Sequence, residues 1–297
     1  MTKKFVPMYV DIVFKKIWGD PDNTNRLSFL LSKVLNIPYE DLKGNVEIIE
    51  SEKKLKNIKE KRQRNDIVAR ITFPKKIKVN LEMNNNGINQ PLIDRNVSYI
   101  VHIFSGGIKN KQDYSDIIPA IQINFNRFSI NPDKIINKFY LRDDIGYKLT
   151  DKLQIYTIDI EKCREICYTE SVKKYTKEEQ EIIKIGALMT FENRYEFEKN
   201  ISKIEMEEKM KKDIKETMED LSEDEEILDY FDYEQDALAL KNGEISEAKE
   251  NAFKNGKIEG KKEGIIETAK KMKQEKFDLN TISRITGFSL EELENLN

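Results

Sequence analysis

Apolar and polar positions alternate in two short segments, residues 64–71 and 77–84, which a proline turn at residues 73–76 separates. The second segment carries Ile77, Val79, Leu81 and Met83 in alternation with Lys78, Asn80, Glu82 and Asn84. Strict alternation is typical of a strand with two different faces. Proline favours a turn and does not serve a central ladder. The pattern therefore predicts a β-hairpin with one apolar and one polar face.

The register of this hairpin decides which side chains share the polar face. With a three-residue loop, 73–75 or 74–76, Asp66 lies opposite Glu82 or Asn84 and shares a face with both. A loop of two or four residues places Asp66 on the other face, because a slip of one residue inverts the alternation. Either three-residue loop gathers two carboxylates and an amide on one face.

Two neighbouring carboxylates repel each other, which raises the pKa of one of them unless a cation lies between them. Mg²⁺ and Mn²⁺ suit one or two carboxylates together with water and substrate phosphate. Such an ion can polarise a phosphodiester and activate water for attack. The alternative is a surface hairpin with hydrated charges, and the spacing alone favours this alternative.

Asp66, followed by Glu82-x-Asn84, resembles the Asp…(Asp/Glu)-x-Lys core of the PD-(D/E)XK nucleases. More narrowly, it resembles the recombination-promoting nuclease and transposase family, whose version usually ends in Glu-x-Gln. Further segments that fit this family, in order, are residues 11–19, Arg95-x-x-x-Tyr99, residues 107–119 and a glycine-repeat tail. Asn84 departs from the family pattern, because it is one methylene shorter than glutamine and lacks the charge of lysine. This departure bears on turnover and not on the fold.

The resemblance implies an α/β fold of the restriction-endonuclease type, with a central mixed sheet flanked by helices and an all-helical C-terminal region. It implies a metal-dependent DNA endonuclease with Mg²⁺ or Mn²⁺ as cofactor and DNA as partner. The roles that it implies are metal ligation by Asp66 and Glu82, water positioning by Asn84, an auxiliary acid at Asp11, and phosphate or DNA contacts by Arg95, Tyr99, Lys15 and Arg64.

Several of these residues have equally plain structural interpretations. Asp11 and Lys15 lie four residues apart on the polar flank of a helix predicted over residues 8–18, so they also suit a surface ion pair. Arg95 and Tyr99 share a face of a helix predicted over residues 88–104, and their stacking could serve packing alone. The lysine-rich run that ends at Arg64 suits either DNA contact or a solvated loop.

Composition excludes some classes of function. The chain has 297 residues with 51 Lys and Arg against 54 Asp and Glu, so it lacks the net positive charge that is typical of nucleic-acid-binding proteins. Cys163 and Cys167 with the lone His102 do not form a Cys/His zinc set, and His102 does not anchor a nucleophilic triad. No apolar run approaches the roughly 18 residues of a membrane span, and the start lacks a signal-peptide core. We expect a cytoplasmic protein without a membrane partner.

The order of the predicted elements suggests three parts. Strands at residues 46–50, 117–125, 138–141 and 153–160 join the hairpin in an α/β nuclease-like domain over residues 1–160. In this domain, the helix predicted over residues 88–104 ends in a left-handed stop at residues 105–107. Residues 161–243 form a helical extension, with helices over 178–189 and 201–221.

Residues 244–297 form a tail in which small residues recur every fourth position. Glycine is unfavourable in an isolated helix by about 1 kcal/mol relative to alanine. The repeat therefore suggests a partner helix from a second copy, and a flexible charged linker is the alternative. Residues 279–293 resemble a small helix-turn-helix unit, for which docking or dimerisation is favoured over reading of a DNA groove.

Three functions remain open from the sequence. The first is a metal-dependent endonuclease of transposase or recombination type. The second is a nuclease-fold DNA-binding protein that Asn84 has weakened as a catalyst. The third is a self-associating scaffold without nuclease activity.

Overall fold

The computed structural model describes residues 4–50, 66–85, 87–106, 113–169 and 171–296. These residues form a six-stranded sheet in the order β1-β2-β3-β4-β6-β5. The strands are β1 Val46–Glu50, β2 Ile67–Ile71, β3 Ile77–Asn84, β4 Ala120–Asn126, β5 Ile136–Arg142 and β6 Lys148–Asp159. Pairing is parallel for β3 with β4 and for β4 with β6, and antiparallel for the other neighbours. The predicted mixed α/β sheet is confirmed.

Helices flank the sheet and continue to the C-terminal end. They are α1 Asp11–Trp18, α2 Thr24–Leu35, α3 Tyr39–Leu42, α4 Gln90–Ser105, α5 Ile160–Tyr168, α6 Lys177–Leu188, α7 Arg194–Ile201, α8 Glu208–Glu223, α9 Glu225–Gln274, α10 Leu279–Thr286 and α11 Leu290–Glu294. Cys163 and Cys167 lie on α5 as free thiols, and Cys163 is buried.

The β2–β3 hairpin has the register that places Asp66 on the polar face. Ile67 pairs with Leu81 and Ile71 pairs with Ile77, which is the pairing expected for a loop at residues 73–75. Asp66 directly precedes Ile67 and Glu82 directly follows Leu81, so Asp66 and Glu82 lie on the same face of the hairpin. The predicted geometry of the hairpin is confirmed.

One face of the central strands packs against the main hydrophobic core. The buried side chains on this face of β3 and β4 include Val79, Leu81, Met83, Ile121, Ile123 and Phe125. Phe14 and Trp18 of α1 are fully buried in the same core, and the Phe14 ring lies 5.7 Å from the Phe125 ring. Burial of the apolar stripe of α1 therefore fixes this helix against the sheet.

The opposite face of the sheet is covered in part by α4. Ile100 and Ile103 of this helix pack with Val68 of β2 and Ala120 of β4 in a second, smaller cluster. The remaining buried side chains on this face of β3 and β4 are polar. They include Glu82 and Asn84.

The predicted left-handed stop of α4 is wrong at Gly106, whose φ of −63° is right-handed. The Gly106 N–H donates to the carbonyl oxygen of His102 at 2.8 Å. The Lys78 ammonium donates to the carbonyl oxygen of Ile103 at 2.9 Å. A left-handed turn normally satisfies such terminal carbonyls, and here a lysine from β3 satisfies one of them. Gly107, part of the same prediction, lies outside the described residues.

The helix predicted over residues 201–221 is also wrong as a single element, because α7 ends at Ile201 and α8 begins at Glu208. The intervening segment is held by tertiary contacts. Ile204 is buried in the main core, and the Glu205 N–H donates to a carboxylate oxygen of Glu181 on α6 at 3.4 Å. Helix propensity along the chain does not reveal such contacts.

The chain divides into two compact units, Met1–Phe231 and Asp232–Asn297. In the second unit, Ala269, Ile282 and Leu293 form a small core of their own. The Lys273 ammonium donates to the carbonyl oxygen of Leu293 at 2.7 Å, and Gly287 has a φ of +79° in the turn between α10 and α11. The three-part division expected from the sequence stays a prediction.

Residues 244–274 belong to α9, so the alternative of a flexible linker is wrong for this stretch. Across the part of the chain that the structure describes, no helix combines the length and the apolar character that a membrane crossing requires.

Candidate active site

Asp66 and Glu82 lie side by side at the open end of the β2–β3 hairpin. Both are buried, with exposed fractions of 8% and 3%. The backbone N–H of Asp66 donates to Oε1 of Glu82 at 3.1 Å, and the backbone N–H of Met83 donates to Oδ2 of Asp66 at 2.8 Å. Each carboxylate is thus anchored on the strand that carries the other, so the hairpin register itself sets their proximity.

The pKa values of both carboxyls are raised. Burial, reinforced by the Asp11 carboxylate, raises the pKa of Asp66 to about 6. Burial, reinforced by Asp66, raises the pKa of Glu82 to about 8. Both shifts have the sign expected for negative charge that the surrounding protein does not fully neutralise. A bound cation would offset this charge.

Helix α1 brings Asp11 and Lys15 to the pair. The Lys15 ammonium lies 2.7 Å from Oδ2 of Asp11 and 3.3 Å from Oδ1 of Asp66. The side chain of Lys15 is only 15% exposed, so this contact is not a hydrated surface pair. Asp11 therefore forms the expected i, i+4 ion pair and also lies within the electrostatic reach of Asp66.

Asn84 lies two residues beyond Glu82 on the same face of β3 and contacts two further polar residues. Nη2 of Arg95 donates to Oδ1 of Asn84 at 2.7 Å, and Nδ2 of Asn84 donates to Oδ1 of Asn126 at 2.9 Å. The Arg95 guanidinium also lies 5.7 Å from the centre of the Tyr99 ring. These contacts fix both the amide and the guanidinium.

Tyr99 is buried beside the acidic pair. Burial, with a further contribution from the negative charge of Glu82, raises the pKa of the Tyr99 hydroxyl. Tyr99 thus stays neutral near pH 7 and can act there as a hydrogen-bond donor.

The structure brings together nearly all the residues that the sequence singled out. Direct contacts join Asp11, Lys15, Asp66 and Glu82 in one group, and Asn84, Arg95 and Tyr99 in another. The two groups meet on β3, where Glu82 and Asn84 share a face. Arg64 and the basic run before it lie outside the described residues.

A set of buried amides, which the sequence pattern did not single out, lies beside the carboxylates. They are Asn80, Gln122, Asn124 and Asn126. Residues 117–125 are predicted as a strand, and the prediction assigns no function to its polar positions. The signal was present, because Gln122 and Asn124 alternate with Ile121, Ile123 and Phe125 in the same way as the polar residues of β3.

The donor set fits a hard divalent cation. Asp66 and Glu82 offer carboxylate oxygens, which Mg²⁺ and Mn²⁺ prefer. Within the described residues, no group of three or more His, Cys, Asp or Glu side chains forms a ready set of metal ligands. A site of two carboxylates leaves the remaining positions to water and substrate, which is the usual arrangement for Mg²⁺.

A family model described as PD-(D/E)XK nuclease family transposase matches residues 8–248 of the chain. The match spans the whole sheet and most of the helical region. Comparisons with curated proteins and with solved structures found no match.

Proposed function

Because the chain belongs to the PD-(D/E)XK nuclease family of transposases, we propose that it is a metal-dependent endonuclease that hydrolyses DNA. The observation that carries this proposal is the buried pair of Asp66 and Glu82, which contact each other at the end of the hairpin and have raised pKa values. The reaction adds water across one P–O ester bond and leaves a phosphate monoester on one side and a hydroxyl on the other.

Asp66 and Glu82 would hold Mg²⁺ or Mn²⁺. When bound, the ion supplies Lewis-acid polarisation of the phosphodiester and a lowered pKa for water. The Met83 N–H fixes one oxygen of Asp66, and the Asp66 N–H fixes one oxygen of Glu82. These hydrogen bonds preorganise the two carboxylates, so they need little rearrangement to bind a shared cation.

Arg95 and Lys15 supply the positive charge for the substrate. Arg95 is held by Asn84 and lies over Tyr99, so its planar guanidinium is oriented before a phosphate arrives. Lys15 lies between Asp11 and Asp66, and we assign it to a phosphate oxygen near the carboxylates. We assign Asp11 the auxiliary role of holding the Lys15 ammonium in that place. Arg64 stays a predicted DNA contact.

Asn84 would position the attacking water. An amide offers two hydrogens and two lone pairs, and the bonds to Asn126 and Arg95 use one of each. The remaining hydrogen and lone pair suffice to orient one water. Asn84 cannot supply the charge that a lysine would, so Lys15 and Arg95 must provide it.

The second candidate is a DNA-binding protein with little or no turnover. The observation that favours it is Asn84 itself, which is shorter and less charged than the usual residue and whose amide is already bonded at both ends. Salt-dependent DNA binding without metal and without cleavage would select this candidate.

The homo-oligomer through residues 244–297 also stays a prediction, as does the cytoplasmic location.

A supercoiled-plasmid nicking assay with Mg²⁺ or Mn²⁺ tests the proposal. We expect nicking by the wild type and its loss, by at least about a hundredfold, in Asp66→Ala and Glu82→Ala. Glu47→Ala is a matched control, because Glu47 is a carboxylate of the neighbouring strand β1 whose side chain is 64% exposed. Activity that survives both substitutions at the buried pair would end the endonuclease proposal.

A further inference from the structure

A series of buried amides leads from the backbone of β6 to the carboxylate of Glu82. Nδ2 of Asn124 donates to the carbonyl oxygen of Tyr156 at 3.3 Å, and Nε2 of Gln122 donates to Oδ1 of Asn124 at 3.0 Å. Nδ2 of Asn80 donates to Oε1 of Gln122 at 2.8 Å and to Oε1 of Glu82 at 3.0 Å. We call Asn80, Gln122 and Asn124 the amide relay.

Each member of the amide relay determines the orientation of the next. The carbonyl oxygen of Tyr156 only accepts, so Asn124 must turn its NH₂ group toward it and its oxygen toward Gln122. Gln122 must then turn its own oxygen toward Asn80. As a result Asn80 donates one of its amide hydrogens to Gln122 and the other to Glu82. An ionised carboxylate only accepts hydrogen bonds, so Glu82 requires a donor at this position.

The amide relay is not explained by packing. Its three members are fully buried, with exposed fractions of 0%. Apolar side chains of similar volume fill such positions without the desolvation that amides suffer. Moreover, Oδ1 of Asn80 is buried and has no hydrogen-bond partner among the described residues. Burying an unpaired acceptor is unfavourable, so this orientation of Asn80 opposes folding.

We propose that Asn80 is a positioning residue, which the rest of the amide relay orients so that it holds the Glu82 carboxylate ready for a divalent cation. This inference rests on the proposed function. Groups that hydrogen-bond to a ligating carboxylate fix its direction, and their removal typically weakens metal binding by about 10-fold to 100-fold. Asn124 and Gln122 act on Glu82 only through Asn80.

Two near-isosteric variants test the amide relay in the full-length protein. Asn80→Leu removes the donor to Glu82. Gln122→Met leaves Asn80 and Glu82 unchanged but removes the group that orients Asn80. Thr157→Val is the matched control, because Thr157 is buried on β6, pairs with Asn124 across the sheet and lies outside the series of bonds that leads to Glu82.

Titration calorimetry with Mn²⁺ measures the cation affinity, and plasmid nicking gives kcat and KM for DNA. We expect Asn80→Leu to bind Mn²⁺ about 10-fold to 100-fold more weakly. Gln122→Met should show a smaller loss in the same direction, and Thr157→Val should match the wild type. The KM for DNA should stay unchanged, since all three members of the amide relay are fully buried. If Asn80→Leu does not fold, Gln122→Met carries the test.

The failures can be told apart. If the wild type binds Mn²⁺ and nicks DNA, but Gln122→Met and Asn80→Leu bind the ion as tightly as Thr157→Val does, the positioning role is overturned and the endonuclease proposal stands. If the wild type neither binds Mn²⁺ nor nicks DNA, the endonuclease proposal fails and the positioning role fails with it.

Discussion

The two faces of strands β3 and β4 are buried to a similar degree but contribute to the protein in opposite ways. On one face Leu81 and Ile123 are fully buried in the main hydrophobic core. On the other face Glu82 and Asn124 have exposed fractions of 3% and 0%, although one is a carboxylic acid and the other an amide. The same backbone thus carries an apolar and a polar interior, one residue apart.

The difference shows where stability and function reside in this fold. Burial of the apolar face stabilises the native state, at about 25 cal/mol for each Å² of apolar surface removed from water. Burial of the polar face opposes folding, because it raises the pKa of Glu82 to about 8 and leaves Oδ1 of Asn80 without a partner among the described residues. A polar interior that opposes folding is a mark of a functional site.

The largest expected effect separates the two faces by chemistry. Glu82→Gln keeps the shape of the side chain but removes the negative charge, so we expect plasmid nicking to fall by at least about a hundredfold. The protein should remain folded, and without metal at pH 8 its melting temperature should rise, since a buried charge has been removed. Nicking assays and thermal melts in EDTA measure both effects. A Glu82→Gln variant that melts at a lower temperature and still nicks DNA would show that the polar face contributes to stability rather than to catalysis.

The next effect is on the opposite face. Leu81→Ala should lower the free energy of unfolding by about 2–5 kcal/mol, because it removes buried methyl groups and leaves a cavity in the main core. The folded fraction should nick DNA as the wild type does, since the Glu82 side chain points away from Leu81. Denaturant titration gives the stability, and nicking below the unfolding transition gives the activity. If Leu81→Ala lost activity but kept its stability, the apolar face would serve catalysis rather than stability.

The smallest effect is a dependence of stability on pH. Folding raises the pKa of Asp66 to about 6 and that of Glu82 to about 8, so the folded state holds these protons after the unfolded chain has released them. The resulting stabilisation is present below the unfolded pKa values of about 4 and is lost as the pH rises through about 6 and about 8.

In EDTA the melting temperature should therefore fall between pH 5 and pH 9, and Mg²⁺ at the upper pH should restore it. The decline should be shallower in Glu82→Gln, which lacks one of the two titrating groups. Calorimetric melts across this range make the measurement. A wild-type profile that is flat, or that Mg²⁺ does not change, would argue against a cation between the two carboxylates.

The sequence by itself determined the local parts of this protein. Alternation along β3 assigned Glu82 and Asn84 to one face, and the turn at Pro74 predicted the hairpin, whose register the structure then decided among the open loop lengths. Strand β1 has the predicted bounds, and the apolar stripe of α1 placed Asp11 and Lys15 on its polar flank. These features follow from residues that are close in the chain, where periodicity and turn chemistry decide the outcome.

Only the tertiary structure decided the features that join distant segments. The parallel pairing of β3 with β4 places Asn80 beside Gln122, and no pattern within either strand specifies its partner. Lys78 of β3 likewise donates to the last turn of α4, and Glu181 of α6 accepts from the segment that follows α7. Hydrogen bonds to buried polar groups are satisfied wherever the fold brings a partner, so the chain order alone does not reveal them.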